Sequence, residues 1–112
     1  MSGITTHVLD TSLGKPAAGV PVILSKREGT ALRELGRSAT DSDGRVREFL
    51  PQVTLTVGVY QLSFETAGYF RASQRESFFE RVTVEFNVLD ESQHYHVPLL
   101  LSPFGYTTYR GT

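Results

Sequence analysis

Three histidines are the only imidazoles in this chain of 112 residues, and two of them, His94 and His96, lie two apart near its end. Residues i and i+2 of a strand share a face, so this pair can converge, and His7 can join it from a neighbouring strand. A neutral imidazole takes a proton from water readily near neutral pH, because its reference pKa of about 6.5 sits close to the working range. Two arginines offer the complementary charge. Arg45 follows the turn-like Asp41-Ser42-Asp43-Gly44, and Arg110 lies in the terminal Tyr109-Arg110-Gly111-Thr112. A guanidinium is a planar fork of donors suited to a carbonyl-rich, partly anionic ring. Together such groups could support general-base catalysis beside a carbonyl or anionic oxygen.

Each residue also has an ordinary reading. His94 reads as a solvated strand-end residue, and His7 or His96 alone as a half-buried polar residue with one hydrogen bond. Arg45 after a turn and Arg110 near a terminus read equally as surface cations. Arg47 shares a face with Arg45 by strand parity, so parity does not choose between them. Tyr109 is either a core or interface aromatic or a hydroxyl aimed at substrate. Thr112 brings a hydroxyl and the terminal carboxylate, or it frays.

Other chemistries find less support. Three histidines and a water make a zinc site in some proteins, yet no acidic residue is placed to orient them, and neither metal nor cofactor is expected. Ser102 precedes Pro103 in a turn and lacks a nucleophile-elbow pattern. Asp41 and Asp43 are a fragment of a calcium loop without its remaining ligands and are better explained as turn residues. No glycine-rich loop follows a strand and opens a helix.

The elements that must position these groups follow from pattern. Residues 3–10 alternate, with Ile4, Thr6 and Val8 opposite Thr5, His7 and Leu9. Residues 11–19 hold two glycines and a proline and read as a turn. Residues 20–26 make a second strand, 28–30 a hairpin, and 32–40 a third strand whose poor pattern suits an edge. Residues 57–66 place Tyr60, Leu62 and Phe64 on one face. Residues 67–74 form a short helix, and residues 82–88 alternate again. The last strands are 95–101 and 106–109. Eight short strands and one helix imply a β-sandwich.

Size and charge set the remaining bounds. The length implies one domain, residues 1–112. The 11 basic and 12 acidic residues leave no field to draw nucleic acid or an anionic membrane. There is no cysteine, hence no disulfide framework and no thiol nucleophile. No apolar run approaches the roughly 20 residues that span a bilayer. Met1-Ser2-Gly3 leads into a strand without a basic or apolar leader, so the cytoplasm is the expected location.

The run His94-Tyr95-His96-Val97-Pro98-Leu99-Leu100-Leu101-Ser102-Pro103 and the terminal Tyr109-Arg110-Gly111-Thr112 resemble the 5-hydroxyisourate hydrolases, the transthyretin-related enzymes of urate degradation. Ile4-Thr5-Thr6-His7-Val8-Leu9-Asp10 and Asp43-Gly44-Arg45 match the same family. Thr112 departs mildly from the family's terminal serine, and Phe79-Glu80 departs from its Phe-Pro. The resemblance implies a transthyretin-like sandwich of two four-stranded sheets with one short helix. It also implies a homotetramer with active sites in a channel between dimers. It selects His7, Arg45 and His96 as catalytic, and His7, Arg45, Tyr109, Arg110, Gly111 and Thr112 as substrate-binding. The implied reaction opens 5-hydroxyisourate to 2-oxo-4-hydroxy-4-carboxy-5-ureidoimidazoline. The alternative is a carrier of the same fold that binds a small ligand without turnover.

Overall fold

Alternation decides the architecture. In a computed structural model that describes residues 3–112, strand β1 (Gly3–Asp10) buries every second residue, from Ile4 through Thr6 and Val8 to Asp10. Met1 and Ser2, part of the segment read as leading into that strand, lie outside the described residues. Strands β3 (Pro21–Glu28), β4 (Ala31–Ala39), β6 (Gly58–Phe64) and β7 (Val82–Val88) form an antiparallel sheet in the order β4-β3-β6-β7. The other sheet runs β2-β1-β8-β9, built from β2 (Lys15–Pro16), β1, β8 (His94–Ser102) and β9 (Gly105–Thr108), with β5 (Arg45–Val46) also paired to β1. Val22, Leu24, Tyr60, Leu62 and Phe64 of one sheet face Val8, Val97, Leu99 and Leu101 of the other, and all are buried. Truncating any of the larger ones to alanine costs about 2–5 kcal/mol, because the cavity adds to the lost transfer energy.

Two details differ from the sequence expectation. The β1 sheet gains a fifth strand, β5, and the segment read as one long turn contains β2. Both strands are two residues long, too short to carry a period, and both exist only because β1 offers its edge. Val84 and Phe86 keep the expected inward parity but are only half-buried. Strand β7 ends its sheet, and its neighbour across the sandwich is the other terminal strand, β9, so this side of the core stays open.

The helix α1 (Thr66–Ala72) buries Thr66, Ala67 and Phe70. It ends at Ala72, and after the cap residue Ser73 comes Gln74, whose φ of 59° takes the left-handed turn that closes many helices. Arg75 then reaches back to Asp10, with its guanidinium 2.7 Å from the carboxylate and stacked over Phe70. Asp10 has no solvent exposure. Burial pushes its carboxyl up, but hydrogen bonds from Arg75, Ser12 and Tyr69 outweigh that and bring it down to about 2. This lock fastens the end of the strand that carries Thr5 and His7.

Candidate active site

Strand β1 organises the site because its outward residues meet chemistry on both sides. Strand β8 runs parallel to it, with Gly3 opposite His94, Thr5 opposite His96 and His7 opposite Pro98. Strand β5 runs antiparallel on the other side, with His7 opposite Arg45. Because Ile4, Thr6 and Val8 face the core, Thr5 and His7 must face out. The same parity turns Tyr95 and Val97 inward and His94 and His96 outward. Two histidines at the end of the sequence and one at its start thus share one outer sheet face with Arg45.

The turn before Arg45 is built for that placement. The Asp41 side chain accepts from the backbone N–H groups of Asp43 and Arg45, and Gly44 takes a φ of 77°. A Cβ at Gly44 would run into the Val8 carbonyl oxygen, so only glycine lets the turn approach β1 this closely. Arg47 leaves the strand and donates to Asp41 at 2.6 Å. Among the described residues Arg45 has no such carboxylate partner, which separates two arginines that parity left equivalent.

An open cleft of about 390 Å³ lies on this face, lined by Thr5, Arg45, Arg47, His94, His96 and Thr112 among others. His7 stands beside it, and its Nε2–H donates to the Asp43 carbonyl at 2.9 Å. A carbonyl only accepts, so a neutral His7 carries its lone pair on Nδ1. His96 has Nδ1 2.8 Å from the Thr5 hydroxyl, and His94 has Nε2 2.8 Å from the same oxygen. Burial depresses the His96 pKa, and the charges of Arg45, His94 and His7 depress it further. His96 is therefore neutral at neutral pH and available as a base. His94, read as a solvated strand-end residue, is exposed yet tied to Thr5 and set in the cleft wall.

A backbone bridge pins the end of the tail beside His96. The Gly111 N–H donates to the His96 carbonyl at 2.8 Å, which delivers Thr112 to the cleft. Gly111 is required here for space, since a Cβ would lie 2.6 Å from His96 Cδ2 and 3.1 Å from Pro98 Cγ. Tyr109 and Arg110 go elsewhere. Both line a second cavity between β7 and β9, with Val84, Phe86, Tyr95 and Thr108. Arg110 donates to the Gln93 side chain at 3.0 Å and stacks 4.5 Å above the Tyr95 ring. Of the residues selected from sequence, the structure brings together His7, Arg45, His96, Gly111 and Thr112 and sets Tyr109 and Arg110 apart.

Among the described residues, no group of three or more His, Asp or Glu side chains is arranged to hold a metal ion. A hydroxyl and a backbone carbonyl orient the imidazoles where an acid was sought. Thr5 is the residue that sequence reasoning missed. Its signal was available, since it lies two before His7 on the same strand face.

The model of the HIUase/transthyretin family matches residues 4–111. The chain belongs to that family. Within the family it is 47% identical to the 5-hydroxyisourate hydrolase of Caulobacter vibrioides, with both chains covered completely. The solved Klebsiella pneumoniae 5-hydroxyisourate hydrolase is 40% identical, with 99% of this chain and 100% of that one covered and a TM-score of 0.86. Sea bream transthyretin in complex with thyroxine superposes with a TM-score of 0.90 at 28% identity, over 97% of this chain and 94% of that one. The transthyretin-like sandwich expected from the motifs is therefore the fold of this chain, with β5 as an addition to one of its sheets.

Proposed function

We propose that this protein hydrolyses 5-hydroxyisourate, opening its six-membered ring by water attack at an amide-like carbonyl. The reading rests on a neutral imidazole and a guanidinium without a carboxylate partner among the described residues, which line one cleft in a chain 47% identical to a hydrolase so named. His96 is the proposed base. Its Nε2 takes a proton from water as the oxygen attacks the carbonyl carbon. The carbonyl electrons move onto oxygen, where Arg45 meets the developing charge. The carbon–nitrogen bond then breaks, and the proton passes from His96 to the departing ring nitrogen. His7, fixed by the Asp43 carbonyl, orients the water or the ring through Nδ1. Gly111 and Thr112 border the bound ring. For Tyr109 and Arg110 we propose the support of that tail, because Arg110 anchors it to Gln93 and Tyr95. General-base catalysis contributes about 10²–10⁴-fold and one preorganised oxyanion donor about 10²–10³-fold, so the sequence of steps calls for no metal or cofactor.

The proposal includes a homotetramer acting in the cytoplasm. Strands β7 and β9 end their sheets side by side, and Leu13, Phe78 and Phe104 are exposed apolar residues. A second copy could cover both features. No helix among the described residues is long and apolar enough to cross a membrane.

A carrier reading takes support from the likeness to a thyroxine complex. Fold alone does not fix function, and the cleft distinguishes the two. The decay of 5-hydroxyisourate absorbance is to be followed with wild type, His7→Asn and His96→Asn. Hydrolysis predicts acceleration by wild type and loss of at least about 10²-fold in His96→Asn. Full turnover in both variants would remove the histidine assignment, and no acceleration by wild type would favour the carrier. Light scattering tests the tetramer.

A further inference from the structure

The Thr5 hydroxyl lies 2.8 Å from His94 Nε2 and 2.8 Å from His96 Nδ1. We propose that Thr5 is a positioning residue that fixes the tautomer of His96, holding that ring with its proton on Nδ1 and its lone pair on Nε2.

Counting protons leads there. A hydroxyl has one hydrogen and accepts through its lone pairs. It can donate to one imidazole only, so at least one of the two ring nitrogens must donate to it. If the hydroxyl donates to His94, His96 donates through Nδ1–H and a neutral His96 carries its lone pair on Nε2. If both rings donate to the hydroxyl, the result for His96 is the same. Only donation from Thr5 to His96 would place the His96 proton on Nε2. The surroundings decide against that arrangement. With Nδ1 taken by Thr5, Nε2 is the nitrogen left for the cleft, whose wall includes Arg45. A cation attracts a lone pair and repels an N–H. Burial and the Arg45 charge also disfavour a second proton on the ring.

The bridge is geometrically strict. Thr5 pairs opposite His96 across parallel strands, and Thr5 leaves the strand on the face that the histidines use. A valine there keeps the β-branched shape that suits a strand and removes only the hydroxyl. His94 touches the shared hydroxyl on its other side; when the hydroxyl donates to it, its lone pair also lies on Nε2, the same tautomer as His96.

The consequence for catalysis rests on the proposal that His96 is the base. A base with its proton on Nε2 would offer a donor to the water it must activate. The tautomer can be read without turnover. Long-range nitrogen–proton correlation spectra report which ring nitrogen carries the proton. With three histidines in the sequence, assignment needs only His7→Gln and His94→Gln. Wild type above the His96 titration is expected to show Nδ1–H at His96. Thr5→Val is expected to shift His96 to Nε2–H or to a mixture, and Thr5→Ser to restore the wild-type pattern. Wild type with His96 protonated on Nε2, or a His96 tautomer unchanged in Thr5→Val, would overturn the proposal.

Turnover tests the linked reading separately. Loss of one neutral hydrogen bond corresponds to a fall in kcat of up to about tenfold, with KM close to wild type and recovery in Thr5→Ser. A tautomer that shifts in Thr5→Val while kcat stays unchanged would uphold the positioning role and reject His96 as the base.

Discussion

Replacing Gly111 by alanine tests the geometry of the site at its tightest point. The added methyl would lie 2.6 Å from His96 Cδ2, 3.1 Å from Pro98 Cγ and 3.3 Å from Pro98 Cδ. Carbon atoms in good contact are about 3.5–4.0 Å apart, so roughly 1 Å must be found. Gly111 is not among the glycines with positive φ, and the penalty is therefore steric with no backbone contribution. The proline ring is rigid, and the imidazole is held at Nδ1 by Thr5. Either His96 swings by about 1 Å, or the tail gives up its hydrogen bond to the His96 carbonyl and Thr112 leaves the cleft. A displacement of that size at reacting groups costs about 10²-fold in rate. Overpacking at a half-buried terminal bridge destabilises by only about 1–2 kcal/mol. Gly111→Ala is thus expected to stay folded and lose about 10²-fold in kcat/KM. The assay generates 5-hydroxyisourate from urate with urate oxidase and follows its decay, with thermal melting as the fold control. Gly105→Ala is the matched comparison, since a Cβ there meets only the Ser102 hydroxyl at 3.8 Å. Wild-type kcat/KM in Gly111→Ala would refute the reasoning, because the tail and His96 would then not act as one packed unit.

Arg45→Gln is expected to lower kcat by about 10²-fold or more. It should also move the acid limb of kcat/KM to higher pH, because one of the charges depressing the His96 pKa is gone; an unmoved limb would contradict the assignment. With the folded pKa of His96 below its ordinary 6.5, the unfolded chain binds the proton first. Its contribution to stability is present above that value and lost as pH falls below it, which urea titrations of wild type and His96→Gln between neutral and mildly acidic pH would resolve. Arg75→Met leaves Asp10 buried without its cation and is expected to cost about 3 kcal/mol. In wild type the Asp10 contribution is present above pH 3.8 and lost as pH falls toward about 2; identical acid unfolding of the two proteins would count against this lock.

Strong periodicity made the sandwich legible from sequence. The strand 58–64 buries Tyr60, Leu62 and Phe64 on the expected face, and the poor pattern of 31–39 belongs to a terminal strand of its sheet. Strands of two residues carry no period, so β2 and β5 stayed hidden. Parity alone put His94 with His96 and Thr5 with His7. The family motifs, by contrast, supplied His7, Arg45 and His96 as a set and the tail as their neighbour.

Chain order and side-chain alternation fix which face of its own strand each residue occupies, because those are local properties of an extended backbone. Register between distant strands is a property of the packed molecule. Only the parallel pairing of β1 with β8 put the Thr5 hydroxyl between two imidazoles 89 and 91 positions away. Only the folded turn paired Arg47 with Asp41 and left Arg45 without a carboxylate partner among the described residues, and only the path of the tail sent Thr112 to one cavity and Arg110 to another. Those choices depend on which backbone groups and side chains are left over once the core is filled, which no short window of sequence contains.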